Sequence, residues 1–273
     1  MDAARNWRSP LSRSHLAALV LDAGVTWPVP LVVGATGSTN DDLAALAAEG
    51  APEGTCIVAE EQTAGRGRLD RVWASPPGAG LWTSVLVRAG DQPKTRWALL
   101  SLVAGVACAD ALRSACGLRA DLKWPNDVVV VAAACGANVG YRKLGGILSQ
   151  TTGDDAVVIG MGLNVSLGSD ELPVPEATSV FLEGGRPDRE ALLVALLGAL
   201  SVRLDQWRSG DPALLADYRA SCRTIGRLVD VSMPDGSRLS GVVSDVDDAG
   251  HLLVADGDAI VTVTAGDVVH ASL

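Results

Sequence analysis

The sequence predicts a large domain that mixes strands with helices, followed by a small β-barrel. The chain has 273 residues, more than a typical single domain, and 48% of them are apolar, which is enough for a substantial core. Apolar strand-like runs alternate with helix-like segments as far as Cys222. From Thr224 onward, short β-like runs are separated by turns rich in Asp and Gly, which is typical of a five-stranded barrel. We therefore expect one domain at 1–223 and a second at 224–273.

The elements of the large domain follow in order from local patterns. A short amphipathic helix is expected at 14–23. An apolar strand at 30–35 leads into Gly37-Ser38-Thr39-Asn40, where hydroxyls can cap a helix that ends at Gly50. Further strands are predicted at 55–60, 81–88, 118–124, 128–131, 143–151 and 156–165, and further helices at 96–116, 188–208 and 212–222. The helix at 96–116 is apolar nearly all the way round, which indicates deep burial.

The composition argues against several classes of protein. A formal net charge of −10 opposes a general nucleic-acid surface, which relies on clustered Lys and Arg. The N-terminus has no basic stretch before a long apolar segment, and no apolar run approaches the roughly 18 residues that cross a bilayer. We therefore expect a soluble cytoplasmic protein with no membrane partner. The five cysteines form no C-x-x-C pair, which favours free buried thiols over disulfides or a zinc site.

A cationic cluster stands out against this acidic background. It comprises Gly65-Arg66-Gly67-Arg68-Leu69-Asp70-Arg71, within a segment at 62–80 that is too rich in glycine and proline for regular structure. Glycine lets backbone N–H groups approach an anion, and arginine offers paired donors to a carboxylate or phosphate. Taken alone, the cluster fits an anion site and a solvated loop, whose arginines pair with nearby acids, equally well.

Polar residues also cluster at the ends of later strands. Lys123-Trp124-Pro125-Asn126-Asp127 ends one predicted strand, and Lys143-Leu144-Gly145-Gly146 enters another, although a tight turn explains the first segment without a site. Gly160-Met161-Gly162-Leu163-Asn164 is a weaker signal, because it completes neither a Rossmann fingerprint nor a P-loop. The three histidines lie outside these segments, so catalysis would depend on orientation and charge rather than on a Ser–His or Cys–His pair.

Taken together and in order, these motifs closely resemble those of biotin protein ligases. The matching segments are Gly37 to Asn40, Glu61-Gln62, Gly65 to Arg68 through Trp73, Lys123 to Asp127, Arg142 to Leu148 and Gly160 to Asn164. The resemblance implies an α+β catalytic domain with a mixed sheet, related in fold to class II aminoacyl-tRNA synthetases, and an SH3-like C-terminal barrel. It also implies that biotin and ATP form biotinyl-5′-adenylate. The biotinyl group would then pass to one lysine of a biotin carboxyl carrier domain.

The resemblance assigns roles to individual residues. The catalytic residues it implies are Arg68 as a clamp on the adenylate, Lys143 facing the carboxylate and α-phosphate, and Asp127 orienting the incoming lysine. The residues implied to contact biotin or its adenylate are Ser38, Thr39, Asn40, Gln62, Gly65, Arg66, Gly67, Arg68, Lys143 and Gly146. The residues implied on the nucleotide side are Trp73, Asn126 and Asn164. Magnesium would travel with the ATP phosphates, since no protein site for a metal is visible in the sequence.

Two features depart from the family pattern. Asp70 stands where glycine is usual, and the stretch between Asp127 and Lys143 is longer than usual. Many bacterial members also carry an N-terminal winged helix that binds operator DNA. Too little chain precedes residue 30 for such a domain, so we expect a monofunctional ligase with no nucleic-acid partner.

Three other functions stay open on the sequence. Lipoate and octanoate protein ligases share the fold and the reaction class, but they lack the G-R-G-R loop and the K-W-P-N-D segment in this form. Pyrophosphate exchange stimulated by biotin and not by lipoate separates the two. A biotin-sensing transcriptional repressor would bind DNA in a mobility-shift assay. A pure adaptor acting through its C-terminal barrel would leave the cationic cluster unexplained.

Overall fold

The computed structural model describes residues 4–68, 71, 73, 76–131, 140–233, 236–264 and 266–270 of the chain. Its helices are α1 (Arg13–Asp22), α2 (Thr39–Ala48), α3 (Leu100–Cys116), α4 (Arg189–Ser209) and α5 (Pro212–Ser221). The strands of the large domain are β1 (Leu31–Thr36), β2 (Cys56–Gln62), β3 (Gly80–Arg88), β4 (Asp121–Lys123), β5 (Asp127–Val131), β6 (Tyr141–Thr152) and β7 (Ala156–Asn164). The C-terminal strands are β8 (Leu228–Ser232), β9 (Arg238–Val246), β10 (Leu252–Asp256), β11 (Ala259–Val263) and β12 (Asp267–His270). Asp70, Cys135 and 132–139 of the long stretch after Asp127 lie outside the described residues.

The strands of the large domain form a mixed sheet in the order β1-β2-β3-β7-β6-β5-β4. β1 and β2 run parallel, and the other neighbouring pairs run antiparallel. This confirms the predicted α+β architecture. The strand predicted at 118–124 is shorter, Asp121–Lys123, because the preceding residues close the end of α3. Gly117 takes the left-handed conformation with φ 66°, and the Leu118 N–H donates to the Leu112 carbonyl.

The helix predicted at 96–116 begins as a 3₁₀ turn, Lys94–Leu99, and continues as α3. α3 packs against α4, and both contribute to the main apolar core against the sheet. The expectation that no apolar run approaches membrane-spanning length is wrong for Lys94–Cys116, which is long and apolar enough by length and composition. However, 72% of its most apolar window is buried inside the fold. It is therefore a core helix, as its all-round apolar pattern predicts.

Side chains of the central strands alternate between two apolar clusters. Val85 and Ile159 point into the main core shared with α3 and α4, whereas the adjacent Leu86 and Val158 pack with Leu43 of α2 in a smaller cluster. This period of two is that of a sheet covered on both faces. It fixes α2 against β2, β3 and β7.

The cysteines that the structure describes are buried and free. They are Cys56, Cys108, Cys116 and Cys222. Burial raises the pKa of Cys56, Cys108 and Cys116 to about 12, so these thiols stay protonated and unreactive at neutral pH. The expectation of free buried thiols is confirmed for these four residues.

The C-terminal strands form a separate antiparallel sheet in the order β11-β10-β9-β8-β12. This sheet docks on the turn between β4 and β5. There the Trp124 indole Nε1 donates to the Gly250 carbonyl (2.9 Å), and the Trp124 backbone N–H donates to Thr224 Oγ1 (3.0 Å). Gly250 has φ 85°, and a Cβ on it would lie 2.8 Å from Leu99 Cδ2, so the contact requires glycine.

Candidate active site

A cavity of about 280 Å³ opens between four parts of the fold. They are the N-terminus of α2, residues 65–68 of the cationic cluster (the cationic loop), the β4–β5 turn and the C-terminal sheet. Its volume lies just below the range of about 300 to 1,000 Å³ that is usual for small-molecule sites. The sequence-predicted site residues that line it are Ser38, Thr39, Asn40, Gln62, Arg66, Gly67, Arg68, Trp73, Asn126, Asp127, Lys143, Gly146 and Asn164. The structure therefore brings residues from distant parts of the chain to one place.

One end of the cavity is built on the first residues of α2. Ser38 occupies the N-cap position, but its hydroxyl makes no capping bond, contrary to the sequence-based expectation. Instead Gln62 Oε1 accepts from the Thr39 N–H (2.9 Å) and from Thr39 Oγ1 (3.1 Å), because β2 ends beside the helix. The Gln62 side chain thus caps the helix, and the Ser38 hydroxyl is left for the cavity.

Asn40 is held by two neighbouring strands. Its Nδ2 donates to the Leu148 carbonyl (3.1 Å), and its Oδ1 accepts from Ser84 Oγ (2.6 Å). Ser84 Oγ also lies 2.7 Å from Thr39 Oγ1, and Ser84 is fully buried. A Cβ on Gly160 would lie 2.3 Å from Asn40 Oδ1, so the strand must carry glycine there. No sequence motif contains Ser84, whereas Gly160 belongs to the Gly-Met-Gly segment, which is only a weak indication of a site.

The cationic loop crosses the cavity between α2 and the C-terminal sheet. Arg66 forms an ion pair with Asp41 in the first turn of α2, with both side chains about half exposed. Arg68 Nη1 donates to Asn126 Oδ1 (3.4 Å), and Arg68 Nη2 donates to the Gly266 carbonyl (3.1 Å). The pairing of Arg66 with a nearby acid agrees with the solvated-loop interpretation, whereas Arg68 is held over the cavity and the anion site stays a prediction.

Gly65 does not line the cavity. It is buried and supports the loop, because its carbonyl accepts from the Trp73 N–H (2.8 Å). A Cβ on Gly65 would lie 2.4 Å from the Trp73 carbonyl oxygen. Glycine is therefore required at position 65 because two backbone segments approach closely there, and not because of contact with a ligand.

Lys143 and Asp127 form an ion pair inside the cavity. Lys143 Nζ lies 2.6 Å from Asp127 Oδ1, with side-chain exposures of 32% and 19%. The ammonium also lies 5.5 Å from the centre of the Trp73 ring, within reach of a cation–π contact. Asn126 is fixed beside them, since its Nδ2 donates to the Ile147 carbonyl (2.8 Å).

Trp73 covers the glycine-rich part of the cavity wall. Its ring lies against Gly146 and Gly162, where an added Cβ would come within 3.2 Å of the indole, and it packs edge-on to Trp82. Asn164 is buried nearby, and its Nδ2 donates to the Thr178 carbonyl (2.9 Å). Its amide N–H₂ is therefore engaged within the protein.

The charge in the cavity is opposite in sign to that of the protein as a whole. The charged residues that line it are Arg66, Arg68, Arg71, Lys123, Lys143 and Asp127. Among the described lining residues, five positive charges thus face one negative charge, although the formal net charge of the chain is −10. Such a site favours a ligand that carries several negative charges.

The sequence-based reasoning missed the part of the site that the second domain supplies. Val268 of β12 lines the cavity, and the carbonyl of Gly266 holds Arg68. Neither residue belongs to a motif, and 198 positions separate Arg68 from Gly266. Only the docking of the C-terminal sheet reveals them.

Comparisons with known proteins identify the family of each part of the chain. The Biotin/lipoate A/B protein ligase family matches residues 35–164, and the Biotin protein ligase C terminal domain matches residues 224–271. The chain is 42% identical over 268 residues to the biotin–[acetyl-CoA-carboxylase] ligase of Mycobacterium tuberculosis, covering 96% of this chain and 97% of that protein. It is 32% identical over 240 residues to the bifunctional ligase/repressor BirA of Bacillus spizizenii, covering 85% of this chain and 70% of that protein.

A solved structure supports the fold. The biotin protein ligase from Aquifex aeolicus in complex with biotin and ATP matches with a TM-score of 0.75 and 24% identity, over 89% of this chain and 99% of that one. Because both domains match and the 42% identity to the mycobacterial ligase extends along 96% of the chain, the protein belongs to the biotin/lipoate A/B protein ligase family, among the biotin protein ligases.

Proposed function

We propose that this protein is an ATP-dependent biotin ligase. It makes biotinyl-5′-AMP from biotin and ATP and transfers the biotinyl group to one lysine of a biotin carboxyl carrier protein. The observation that carries the proposal is the cavity, in which hydroxyls and amides at the start of α2 share one lining with Arg68, Lys123 and Lys143. A neutral ring with polar edges suits the hydroxyls and amides, and a carboxylate meeting phosphates suits the positive charges.

In the first step, a carboxylate oxygen of biotin attacks the α-phosphorus of ATP, and the bond from that phosphorus to pyrophosphate breaks. Both reactants are anions, so the step needs positive charge and alignment more than a proton acceptor. Lys143 is proposed to face the carboxylate and the α-phosphate. Arg68 is proposed to clamp the adenylate, because its two hydrogen bonds already hold the guanidinium over the cavity.

Binding of the acid is assigned to the end of the cavity at α2. Ser38 and Thr39 are proposed to reach the ureido ring, and Asn40 and Gln62 to hold those residues in place through their hydrogen bonds. Arg66 and Gly67 are proposed to cover the ligand, with Gly65 supporting the loop and Gly146 giving room at the wall. Trp73, Asn126 and Asn164 are proposed to bound the nucleotide side.

In the second step, the neutral ε-amine of the acceptor lysine attacks the acyl carbon. The bond from that carbon to the phosphate oxygen breaks, AMP leaves, and the new amide nitrogen loses one proton. Asp127 is the carboxylate among the described lining residues, and we assign it the role of orienting the amine.

Magnesium is proposed to enter with the ATP phosphates. Among the described residues, no group of three or more His, Cys, Asp and Glu side chains could hold a metal ion. The donor set at the cavity, one carboxylate with amide oxygens, fits an ion whose remaining ligands are phosphates and water. The ion would supply charge neutralisation on the phosphates.

The proposed partner is the biotin carboxyl carrier domain of a biotin-dependent carboxylase. The mycobacterial relative is named as a ligase of biotin to acetyl-CoA carboxylase, which supports a carboxylase as the acceptor. We propose that the protein acts in the cytoplasm without nucleic-acid or membrane partners, which its acidic balance and the free cysteines among the described residues support. We further propose two domains, 1–223 for catalysis and 224–273 as the SH3-like barrel, since the peptide between Arg223 and Thr224 leads from the large domain to the C-terminal sheet.

Pyrophosphate exchange tests the identity of the acid. The rate at which labelled pyrophosphate enters ATP should rise with biotin and stay at background with lipoate or octanoate. Exchange driven by lipoate would instead assign the protein to the lipoate and octanoate ligases. Transfer of biotin to a purified carrier domain, followed by mass spectrometry of the modified lysine, then tests the second step.

A further inference from the structure

Beneath the active-site cavity lies a narrow cleft with a buried phenol at its base. Tyr218 of α5 is 2% exposed, and its hydroxyl has no hydrogen-bond partner among the residues that the structure describes. Tyr218 and Asp127 line this cleft together, with Lys123 and Asn126 beside them. The cleft has no room for a water molecule, so solvent does not satisfy the hydroxyl.

A buried hydroxyl without a partner is unfavourable, and such a group calls for an explanation. Burial holds the pKa of the Tyr218 phenol well above its usual range, and the nearby Cys222 thiol and Asp127 carboxylate raise it further. The hydroxyl therefore stays protonated and can donate. Cys222 lies close enough to the phenol to be a second candidate partner, although among the described residues the Tyr218 hydroxyl makes no hydrogen bond.

Asp127 is the strongest acceptor among the side chains of the cleft, because it is the carboxylate there. Asn126 Oδ1 already accepts from Arg68 (3.4 Å), and Ser101 Oγ donates to Ser149 Oγ (2.9 Å), so both are neutral acceptors. Lys123 is a donor only. Asp127 uses Oδ1 for Lys143, and among the described residues its Oδ2 has no partner. The Asp127 carboxylate is thus the charged group in the cleft that can accept.

We propose that Tyr218 is a positioning residue for Asp127 in the transfer step. In the structure Asp127 is paired with Lys143, whose charge is needed at the acyl phosphate once substrates bind. When Lys143 turns to the substrate, the carboxylate loses its cation, and the Tyr218 hydroxyl donates to it from below. Asp127 is then held at the cavity floor with one oxygen facing the acceptor amine. This inference rests on the role proposed for Asp127.

Substitution of Tyr218 by Phe tests the proposal with little risk to the fold, because it removes an unpaired hydroxyl and keeps the ring. Single-turnover formation of biotinyl-AMP should stay within about twofold of the wild type. Transfer of preformed biotinyl-AMP to a carrier domain should slow about tenfold or more, the effect of losing one hydrogen bond to a charged group. Tyr141→Phe, the same change at the chain's other tyrosine, should alter neither step.

Two further variants make the test specific. If Asp127 is the acceptor, Tyr218→Phe should slow transfer no further in an Asp127→Asn background. Cys222→Ala should transfer at the wild-type rate, whereas a loss equal to that of Tyr218→Phe would make the thiol the true partner and overturn the proposal. Equal slowing of both steps by Tyr218→Phe, or normal transfer, would overturn it as well. Wild-type protein that forms no biotinyl-AMP would instead contradict the proposed function.

Discussion

Lys143 and Asp127 combine opposite charges at the point where two anions are proposed to meet. Their side chains are 32% and 19% exposed, so solvent screens the pair only in part. An effective dielectric constant of about 20 is appropriate at such a place, and the attraction at contact is then several-fold stronger than in water. The carboxylate holds the ammonium in the cavity until a substrate with more negative charge competes for it.

Replacement of Lys143 by Ala should reduce the rate of adenylate formation by about 100-fold or more, the usual cost of removing one electrostatic partner of a transition state. The measurement is single-turnover formation of biotinyl-AMP by a protein whose circular dichroism and melting temperature show that it is folded. Lys94→Ala, which removes an exposed lysine outside the cavity, provides the control. A folded Lys143→Ala protein with near-normal adenylation would refute the role given to this residue.

Gly160 offers a test of the acid-binding end. Alanine there would place a Cβ 2.3 Å from Asn40 Oδ1, so Asn40 must shift and lose its bonds to Ser84 and the Leu148 carbonyl. Overpacking of this kind costs about 1 to 3 kcal/mol. We expect biotin affinity, measured by calorimetry, to fall about tenfold. Gly34→Ala is the matched control on β1, since no atom lies within 4 Å of its added Cβ. Equal biotin affinity in the two variants would show that Asn40 does not depend on this contact.

At the level of elements, the cationic loop connects α2 to the C-terminal sheet. Arg66 reaches Asp41 at one side, and Arg68 reaches Asn126 and the Gly266 carbonyl at the other. The first contact is an exposed ion pair, which is worth only about 0 to 1 kcal/mol. The second involves partly buried groups from two domains. Arg68 is therefore the firmer attachment of the loop.

The Arg68→Ala substitution should weaken retention of biotinyl-AMP more than binding of biotin, because its proposed partner is the phosphate. We expect the release of preformed biotinyl-AMP to accelerate at least tenfold, in line with the loss of a hydrogen bond to a charged group. Biotin affinity should change less than about threefold, or roughly 0.6 kcal/mol, because biotin itself carries no phosphate. Arg113→Ala, at an exposed position on α3, controls for the loss of a positive charge. If release and biotin binding weaken equally, Arg68 acts on the whole ligand.

The apolar periodicity of the sequence predicts most strands and helices, because the spacing of apolar residues within each one shows which face is buried. The order of the strands in the sheet cannot be predicted from local periodicity, because β3 pairs with β7, which lies far along the chain. The strand predicted at 118–124 begins only at Asp121, because the Leu118 N–H donates to the Leu112 carbonyl at the end of α3. Motifs located the cationic loop and the lysines, whereas Ser84 resembles any other buried serine in an apolar strand until its partners are seen.

At the scale of the whole molecule, the site is complete only when both domains are docked. The Trp124 indole donates a hydrogen bond to the Gly250 carbonyl, and the Arg68 guanidinium donates one to the Gly266 carbonyl. The contacts that join the domains therefore also border the cavity. Backbone carbonyls supply both acceptors, and a carbonyl has no signature in the amino-acid sequence. For this reason the sequence predicts the strands of the second domain but not the residues of that domain that border the cavity.

His270 makes the docked state sensitive to acid. It lies on β12, where its ring packs edge-on to Tyr141 at 5.0 Å between centroids, and its Nε2 lies 3.3 Å from Thr224 Oγ1. Burial, together with the neighbouring positive charges of Lys123 and Arg227, lowers the pKa of His270 to about 4. The imidazole is therefore neutral in the folded protein at pH values where the unfolded chain, with a pKa near 6.5, has already taken up a proton.

Because the unfolded state binds this proton first, the free energy of unfolding should fall as the pH is lowered from about 6.5 to about 4, and this contribution should be constant above that window. Substitution of His270 by Gln removes the titrating group and keeps a polar side chain beside Thr224. Urea unfolding of both proteins at several pH values between 7.5 and 4 measures the effect. The wild type should lose more stability than His270→Gln across the window, since other groups titrate alike in both proteins. Parallel curves for the two proteins would mean that His270 is protonated equally in the folded and unfolded states, and that its burial between the two domains does not couple docking to pH.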